Sequence, residues 1–97
     1  MTVAHLRTYT INKGMMDDWL ETFKNVTVWM AKAGIKVEST WVNEQRNQFI
    51  WIRSYGDKVE NIATAEATFY GSDEWLANVD HVRSHIAHVA IVQIETV

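Results

Sequence analysis

The chain has 97 residues, 47% of them hydrophobic and 22% charged, with a formal net charge of −3. This composition indicates one globular domain rather than a disordered chain, and the acidic balance argues against nucleic acid as a partner. Without Cys there can be no disulfide, thiol nucleophile or cysteine-ligated metal. No apolar run reaches the roughly 18 residues of a membrane helix, and the N-terminus has no signal-peptide pattern. We therefore expect a cytoplasmic protein with no membrane partner.

The first half of the chain switches between two hydrophobic periods. Val3 to Ile11 alternate and are rich in β-branched and aromatic types, which predicts a strand. After a turn, residues 15–33 carry apolar side chains three and four apart, which predicts a helix that ends at Gly34. The members of that apolar face are Met16, Trp19, Leu20, Phe23, Val26 and Met30. Residues 35–42 predict a second strand, followed by a polar hairpin connection.

The second half repeats this alternation. Residues 48–55 form the most apolar predicted strand, and a second helix follows Gly56 and breaks at Tyr70-Gly71. Ser72 is placed to cap a third helix, and residues 89–97 predict a fourth strand. The order strand, helix, strand, strand, helix, strand is the split-βαβ pattern. It predicts an α+β, ferredoxin-like βαββαβ subunit whose four-stranded antiparallel sheet carries its helices on one face.

Both faces of the predicted sheet carry large apolar side chains. On the third strand Phe49 and Trp51 alternate with Ile50 and Ile52, and successive strand residues point to opposite faces. Because the helices cover one face only, the other would leave an apolar area on the order of several hundred Å² in water, more than a soluble monomer usually tolerates. We therefore expect a homodimer that packs sheet to sheet as a dimeric α/β barrel. The alternative is a sheet face shielded by its own long side chains.

Four stretches of the sequence resemble a known family: LRTYTINKGMMDDWLETF, GIKVESTWVNE, FIWIRSY and SDEW. Together they resemble the NIPSNAP-like family of the dimeric α/β-barrel superfamily, and the resemblance spans most of the chain. It implies a single domain of that fold over residues 1–97. Superfamily members include cofactor-independent oxygenases, isomerases, cyclases, decarboxylases and haem-degrading enzymes, so the resemblance does not choose a reaction. The last third departs from the family pattern because it is rich in His.

Polar candidates lie on the first and third strands, which the topology places side by side at the sheet centre. Arg7 and Tyr9 share a face of the first strand, and Arg53 lies on the third. The functional interpretation is a cationic floor under an apolar pocket, suited to a carboxylate or enolate-like oxygen, with Tyr9 donating or relaying a proton. The alternative is that both arginines pair with carboxylates or with the partner subunit, the candidate carboxylates being Glu38, Asp57, Glu60 and Glu66. Internal pairing would weigh against an enzyme.

Aromatic and imidazole side chains supply further candidates. Trp41 and Trp51 lie on hairpin-connected strands and would stack a flat ligand, and Tyr55 shares the face of Trp51; the alternative for the tryptophans is sheet and dimer packing. His81 and His85 share a helix face if the third helix continues. One of them would act as general acid or base; a metal or haem site and a solvated helix face are the alternatives.

The favoured hypothesis is a small cofactor-independent enzyme acting on a small hydrophobic or aromatic carbonyl or carboxylate metabolite, of isomerase, cyclase or monooxygenase type. It predicts a cavity of about 300 Å³ or more, with no cofactor and no metal ligand. The expected catalytic residues are Tyr9, Arg53 and His81. The expected substrate-binding residues are Arg7, Trp41, Trp51, Tyr55 and His85. A non-catalytic small-molecule-binding protein, an assembly module, and haem or metal binding through His81 and His85 remain alternatives, so whether the chain is an enzyme stays open.

Overall fold

A computed structural model describes all 97 residues and confirms the predicted order of elements. The elements are β1 (Val3–Ile11), α1 (Met16–Lys32), β2 (Lys36–Val42), β3 (Gln48–Ser54), α2 (Glu60–Tyr70), α3 (Asp73–Arg83) and β4 (Ile86–Glu95). The strands form one antiparallel sheet in the order β2-β3-β1-β4. β1 and β3 are therefore the central pair, as the sequence predicts. No helix is both long and apolar enough to cross a membrane.

Helix α1 packs one face against the sheet, and its ends carry the charges that a helix dipole favours. Asp17 and Asp18 lie in the first turn and Lys32 lies in the last. The chain leaves the helix through Gly34 at φ +82°, a left-handed conformation that glycine adopts without steric cost. The buried positions of the helix are those predicted from spacing, except that Leu20 is only partly buried: Met16, Trp19, Phe23, Val26 and Met30.

The predicted break between α2 and α3 is present, and its backbone leaves room only for glycine. A Cβ at Gly71 would lie 2.9 Å from the carbonyl oxygen of Ala67, too close for a side chain. The Ser72 hydroxyl then accepts a hydrogen bond from the backbone N–H of Trp75 at 3.3 Å and caps α3. The break turns the chain so that Trp75 packs against Phe69, with ring centroids 5.0 Å apart.

Strand β4 begins at Ile86, three residues before the predicted start, so that prediction was wrong in its boundary. The Ser84 hydroxyl donates to the carbonyl oxygen of His81 at 2.6 Å, and the helix ends there. Ile86 already pairs with Ile11 of β1. His81 and His85 therefore do not lie on one continuous helix.

The helices cover one face of the sheet and leave the other face uncovered. On β1 and β3 the odd-numbered residues are buried under the helices. Of the even-numbered residues, Ala4 and Ser54 near the strand ends are buried, and the others are only partly buried. No helix covers this second face, which we call the open face. Its apolar members are Leu6, Trp41, Ile50, Ile52, Val92 and Ile94. Of these, Trp41 is 64% exposed and Val92 is 54% exposed.

Candidate functional site

A cavity of about 450 Å³ lies between the sheet and the helices. Sixteen residues line it, twelve of them hydrophobic, and they come from every element except β2. The volume is above the lower limit expected for a small-molecule site. The cavity opens beside β4, where no helix covers the strand: eight of its ten residues are exposed.

The walls of the cavity are largely aromatic and meet edge to face. The ring centroids of Tyr9 and Trp51 lie 5.7 Å apart at 85°, and those of Phe23 and Trp51 lie 5.0 Å apart at 78°. Such arrangements place the positive edge of one ring on the negative face of the next and fix both side chains. Trp51 reaches this wall because it is an odd-numbered residue of the central strand β3.

One carboxylate joins the two arginines on the sheet side of the cavity. Glu66 of α2 accepts through Oε2 from Arg53 Nη2 at 2.6 Å and from Arg7 Nη2 at 3.2 Å. The internal pairing that the sequence left open is therefore present. A single carboxylate balances only one of the two guanidinium charges, however, so a net positive charge remains beneath the aromatic walls.

The side chain of Arg53 is fixed by hydrogen bonds to several neighbouring residues. Its Nε donates to the Tyr55 hydroxyl at 2.6 Å, and Nη2 donates to the Tyr70 hydroxyl at 3.2 Å. Burial lowers the pKa of Arg53, but the neighbouring phenols of Tyr70 and Tyr55 outweigh it and leave the pKa raised. Arg53 is thus a fixed, permanently charged group whose hydrogen-bonding capacity is mostly used inside the protein.

Tyr9 and Arg7 keep hydrogen-bonding capacity for a ligand. Arg7 Nη1 donates to the Tyr9 hydroxyl at 3.1 Å, and this is the sole hydrogen bond of that hydroxyl in the chain. Burial raises the pKa of Tyr9, against the lowering effect of Arg7. The phenol therefore stays protonated at neutral pH, and its hydrogen has no acceptor in the protein. Tyr9 is suited to act as an acid or a hydrogen-bond donor and not as a base.

His5 completes this network on the side of Tyr55. Its Nδ1 lies 3.0 Å from the Tyr55 hydroxyl and 3.4 Å from Arg7 Nη2. A guanidinium can only donate, so Nδ1 accepts from Arg7 Nη2 and is unprotonated, and the Tyr55 hydroxyl, which accepts from Arg53, donates its hydrogen to the same nitrogen. Burial, then the positive charge of Arg7, lowers the pKa of His5. His5 is therefore neutral and carries its hydrogen on Nε2.

The lowered pKa of His5 makes stability depend on pH near neutrality. Between the folded pKa and the ordinary value of 6.5 the unfolded chain binds more protons than the folded one, so the unfolding free energy falls as pH drops. We expect the urea midpoint to be lower at pH 5.5 than at pH 7.5, a window chosen from the ordinary His pKa. His5→Gln should reduce this difference, whereas His88→Gln, at an exposed position of β4, should keep it. Equal wild-type midpoints at both pH values would contradict the assignment.

Three buried N–H groups at the cavity have no hydrogen-bond partner: Arg7 Nε, Trp19 Nε1 and Trp51 Nε1. All three residues line the cavity, and each is no more than 5% exposed. An unpartnered buried donor costs about 1–3 kcal/mol. Each of these nitrogens has less than 1 Å² of accessible surface, so the three N–H groups lie behind the cavity surface and not on it.

The structure brings four of the predicted site residues together at the cavity: Arg7, Tyr9, Trp51 and Arg53. Tyr55 lies behind Arg53 and touches it, but does not line the cavity. Trp41 lies on the open face, opposite Ile50, because the β2–β3 register shifts between Val37 and Ser39. In an unshifted register Trp41 would face Phe49 and point towards the helices.

The two predicted histidines also lie outside the cavity lining. His81 is exposed on α3, and its Nε2 lies 3.5 Å from the Thr22 hydroxyl. His85 is buried beside Trp19, with Nδ1 3.2 Å from the carbonyl oxygen of Val82. Their rings are 4.9 Å apart, but nowhere do three His, Cys, Asp or Glu side chains come together as a metal site would need.

Sequence reasoning gave no binding role to three aromatic residues of the lining, Trp19, Tyr70 and Trp75, and named Glu66 only as one of several possible partners of the arginines. Trp19 was interpreted as core packing, which it also provides. For Glu66 a signal existed, since this acid interrupts the apolar face of α2 between Ile62 and Phe69. An acid on the buried face of a helix needs a cationic partner, and two arginines face it.

Solved structures share this arrangement of elements. The chain is similar to a NIPSNAP family protein from Agrobacterium tumefaciens, with a TM-score of 0.88 and 15% identity over 100% of this chain and 94% of that one. This chain has the NIPSNAP-like, ferredoxin-like fold. An uncharacterised NIPSNAP domain protein from Burkholderia xenovorans has a TM-score of 0.85 and 15% identity over 98% and 94% of the two chains. The resemblance found in the sequence is thus confirmed at the level of the fold.

The NIPSNAP-like fold extends to enzymes. SnoaB, a cofactor-independent oxygenase from Streptomyces nogalater, has a TM-score of 0.75 and 12% identity, with 98% of this chain and 92% of that chain covered. No protein-family model and no curated protein matches the sequence. At these identities the comparisons establish the fold, and the chemistry has to be argued from the cavity.

Proposed function

We propose that this protein is a small cofactor-independent enzyme that acts on a small hydrophobic or aromatic carbonyl or carboxylate metabolite inside the cavity. The reaction would be of isomerase, cyclase or monooxygenase type. The observation that carries the proposal is an aromatic cavity of about 450 Å³ over two arginines that share one carboxylate. The cofactor-independent oxygenase SnoaB has a similar fold and gives the proposal a precedent.

The chemistry follows from where negative charge would develop. Water that enters through the open side of the cavity takes the proton beside the carbonyl group, and the electrons of the broken C–H bond move to the carbonyl oxygen and produce an enolate. Arg7 and Arg53 favour that charge, and they act more strongly in an apolar cavity than in water. Tyr9 offers its free hydroxyl hydrogen to the same oxygen.

Proton exchange beside a carbonyl tests this proposal without knowledge of the natural substrate. With 2-tetralone in D₂O at pD 7, we expect the protein to accelerate deuterium incorporation at the α-carbon, followed by NMR. Tyr9→Phe should lower the protein-dependent rate by about 10²-fold, the lower end of general acid catalysis. Thr8→Val is the matched control, because the adjacent Thr8 points to the open face and should leave the rate unchanged.

Two outcomes of this experiment would contradict parts of the proposal. If 2-tetralone and related aromatic ketones bind but none exchanges, the cavity belongs to a non-catalytic small-molecule-binding protein. If Tyr9→Phe exchanges as fast as the wild type, the phenol has no part in the chemistry and the assignment of Tyr9 is wrong.

We further infer that the enzyme is a homodimer in which two open faces pack together. No helix covers the six large apolar side chains of that face, and two of them, Trp41 and Val92, are more than half exposed. A second copy presents the same apolar surface, and twofold pairing makes the two surfaces self-complementary. The cavity lies on the helix side of the sheet, so each protomer would keep its own cavity.

A further inference from the structure

His5 does not line the cavity but is linked to it through Arg7. The imidazole is buried, and no ligand in the cavity touches it. Arg7 does line the cavity, and it is the one side chain that hydrogen-bonds to both His5 and Tyr9. A change in the protonation of His5 therefore has a direct route to the Tyr9 hydroxyl.

Three contacts fix the guanidinium of Arg7. Nη1 donates to the Tyr9 hydroxyl at 3.1 Å. Nη2 divides its two hydrogens between Glu66 Oε2 at 3.2 Å and His5 Nδ1 at 3.4 Å, and Nε has no partner. Because the guanidinium is planar and rigid, the position of Nη2 also sets the direction in which Nη1 points. The contact with His5 thus helps to aim Nη1 at Tyr9.

Nδ1 of His5 binds Arg7 only while it carries no proton. Two donors point at this nitrogen, Arg7 Nη2 and the Tyr55 hydroxyl at 3.0 Å. A proton on Nδ1 turns the acceptor into a donor. The Tyr55 hydroxyl can rotate its hydrogen away and accept, but a guanidinium has no acceptor atom. Protonation also places two positive charges next to each other, so Arg7 has to move away from His5.

The surroundings of His5 offer little compensation for a positive charge. The groups to consider are Arg7 on β1, Arg53 on β3, Tyr55 directly after β3, Glu66 on α2, and Gln93 and Glu95 on β4. Glu66 already binds both arginines. Gln93, which pairs with His5, is neutral, and Glu95 is exposed. Burial, followed by the charge of Arg7, lowers the pKa of His5, and Glu66 opposes this effect.

We propose that His5 is a positioning residue: its unprotonated Nδ1 holds Arg7 against the Tyr9 hydroxyl, and protonation of His5 moves Arg7 away from that hydroxyl. The floor of the cavity is then assembled at neutral pH and loses this contact in acid. The contact itself stands on the geometry of the side chains. Its consequence for catalysis rests on the function proposed above, because Tyr9 and Arg7 would act on the substrate there.

Tyrosine NMR signals test the contact without any ligand. The three tyrosines of the chain, Tyr9, Tyr55 and Tyr70, all belong to this network. Labelling with ¹³Cζ-tyrosine gives three signals, which Tyr→Phe variants assign, and ¹⁵N-labelled histidine reports the protonation of His5. From pH 7.5 to about 5, a window around the ordinary His pKa, the Tyr9 signal should move with the midpoint of His5. The Tyr70 signal should stay in place, because Arg53 binds its hydroxyl.

Three results of the titration would overturn the proposal. His5 could stay neutral down to pH 5, so that no proton reaches it in this range. The Tyr9 signal could stay in place while His5 titrates, so that Arg7 keeps its contact. The Tyr9 and Tyr70 signals could also move by the same amount, which would report the added charge alone and no displacement of Arg7.

Two variants at position 5 separate the acceptor from the proton. His5→Asn places an amide oxygen near the position of Nδ1, since both atoms are bonded to Cγ, but the amide does not titrate. It should keep the neutral-pH signal of Tyr9 down to pH 5. His5→Leu has no acceptor, and at pH 7.5 it should show the Tyr9 signal that the wild type reaches in acid. A folded His5→Leu protein with the wild-type Tyr9 signal would overturn the proposal.

His81→Asn is the matched control for these variants. His81 is exposed on α3 and lies outside the cavity lining. This variant should keep the titration of the Tyr9 signal unchanged. Thermal melts identify any variant that fails to fold.

The pH profile of 2-tetralone exchange connects the contact to catalysis. This ketone has no charge in the range used, so a pH dependence of the protein-dependent rate belongs to the protein. We expect the wild-type rate to fall by about tenfold below the midpoint of His5, the loss of one hydrogen bond, and the His5→Asn rate to stay level. A Tyr9 signal that follows His5 without exchange of any ketone would support the positioning role and overturn catalysis. Exchange with a Tyr9 signal independent of His5 would leave an enzyme and overturn the positioning role.

Discussion

Replacing Glu66 with Gln should lower the free energy of unfolding by about 3 kcal/mol, the lower end of the cost of removing one partner from a buried ion pair. The carboxylate is 26% exposed, but its partners Arg7 and Arg53 are 6% and 1% exposed in their side chains. Gln keeps the shape of the side chain and a neutral hydrogen-bond acceptor, so the effect of the substitution reports on the lost negative charge. Two buried guanidinium groups would then repel one another without a counter-ion. Urea denaturation at pH 7 measures the loss.

Two further variants show whether charge is the cause. Glu21→Gln removes an acid whose pairing with Lys24 is exposed on both sides, and it should cost about 0.5 kcal/mol or less. Arg7→Met added to Glu66→Gln removes one of the two unbalanced charges and should recover part of the lost stability. A Glu66→Gln protein as stable as Glu21→Gln would contradict the shared-carboxylate arrangement.

The same substitution should act on ligand binding with the opposite sign. With Glu66 neutral, the floor of the cavity carries two positive charges in place of one, so an anionic ligand is attracted more strongly. Stability and anion affinity therefore compete at this residue. If the proposed function holds, a single carboxylate below the cavity keeps the fold stable and leaves one positive charge for a carboxylate metabolite.

The central strands were predictable because their alternation is unbroken. Arg7, Tyr9, Trp51 and Arg53 all occupy odd-numbered positions of β1 and β3, and the sheet order places these strands side by side. Two-residue periodicity then fixes which side chains share a face. The core of the site followed from this local rule and from the split-βαβ topology.

Trp41 follows an irregularity in β2 after which two-residue periodicity no longer predicts the face of a residue correctly. The register shift between Val37 and Ser39 inserts one residue into β2 and exchanges the faces of every position after it. Nothing in the sequence of β2 marks the insertion, since it contains neither Gly nor Pro. The prediction that Trp41 and Trp51 stack on one ligand therefore depended on a register that only the paired strands reveal.

The histidines in the last third of the chain illustrate a second limit of prediction from local sequence patterns. Their spacing of four residues is typical of one helix face, but α3 ends at Arg83. Pairing of Ile86 with Ile11 in the sheet decides where the helix must stop. Such a long-range pairing is absent from any local pattern, and the roles predicted for His81 and His85 depended on it.

Replacing Val92 with Glu should convert the proposed dimer into a monomer. Val92 is 54% exposed and lies on the open face, paired with Leu6. In a twofold dimer the substitution places two carboxylates in one apolar interface, and burying each without a partner costs at least about 2 kcal/mol. Since about 1.4 kcal/mol corresponds to a factor of ten, the dissociation constant should rise by about 10³-fold. Sedimentation velocity over a dilution series measures it.

Leu76→Glu is the matched control for this substitution. Leu76 is 61% exposed, similar to Val92, but it lies on α3, on the other side of the sheet. It should leave the dissociation constant unchanged, because the helices do not contribute to the open face. If the wild-type chain sediments as a monomer at every concentration, two open faces do not pack together. A sheet face with six large apolar side chains, two of them exposed and four partly buried, would then remain in contact with water, a larger apolar patch than a soluble monomer normally carries.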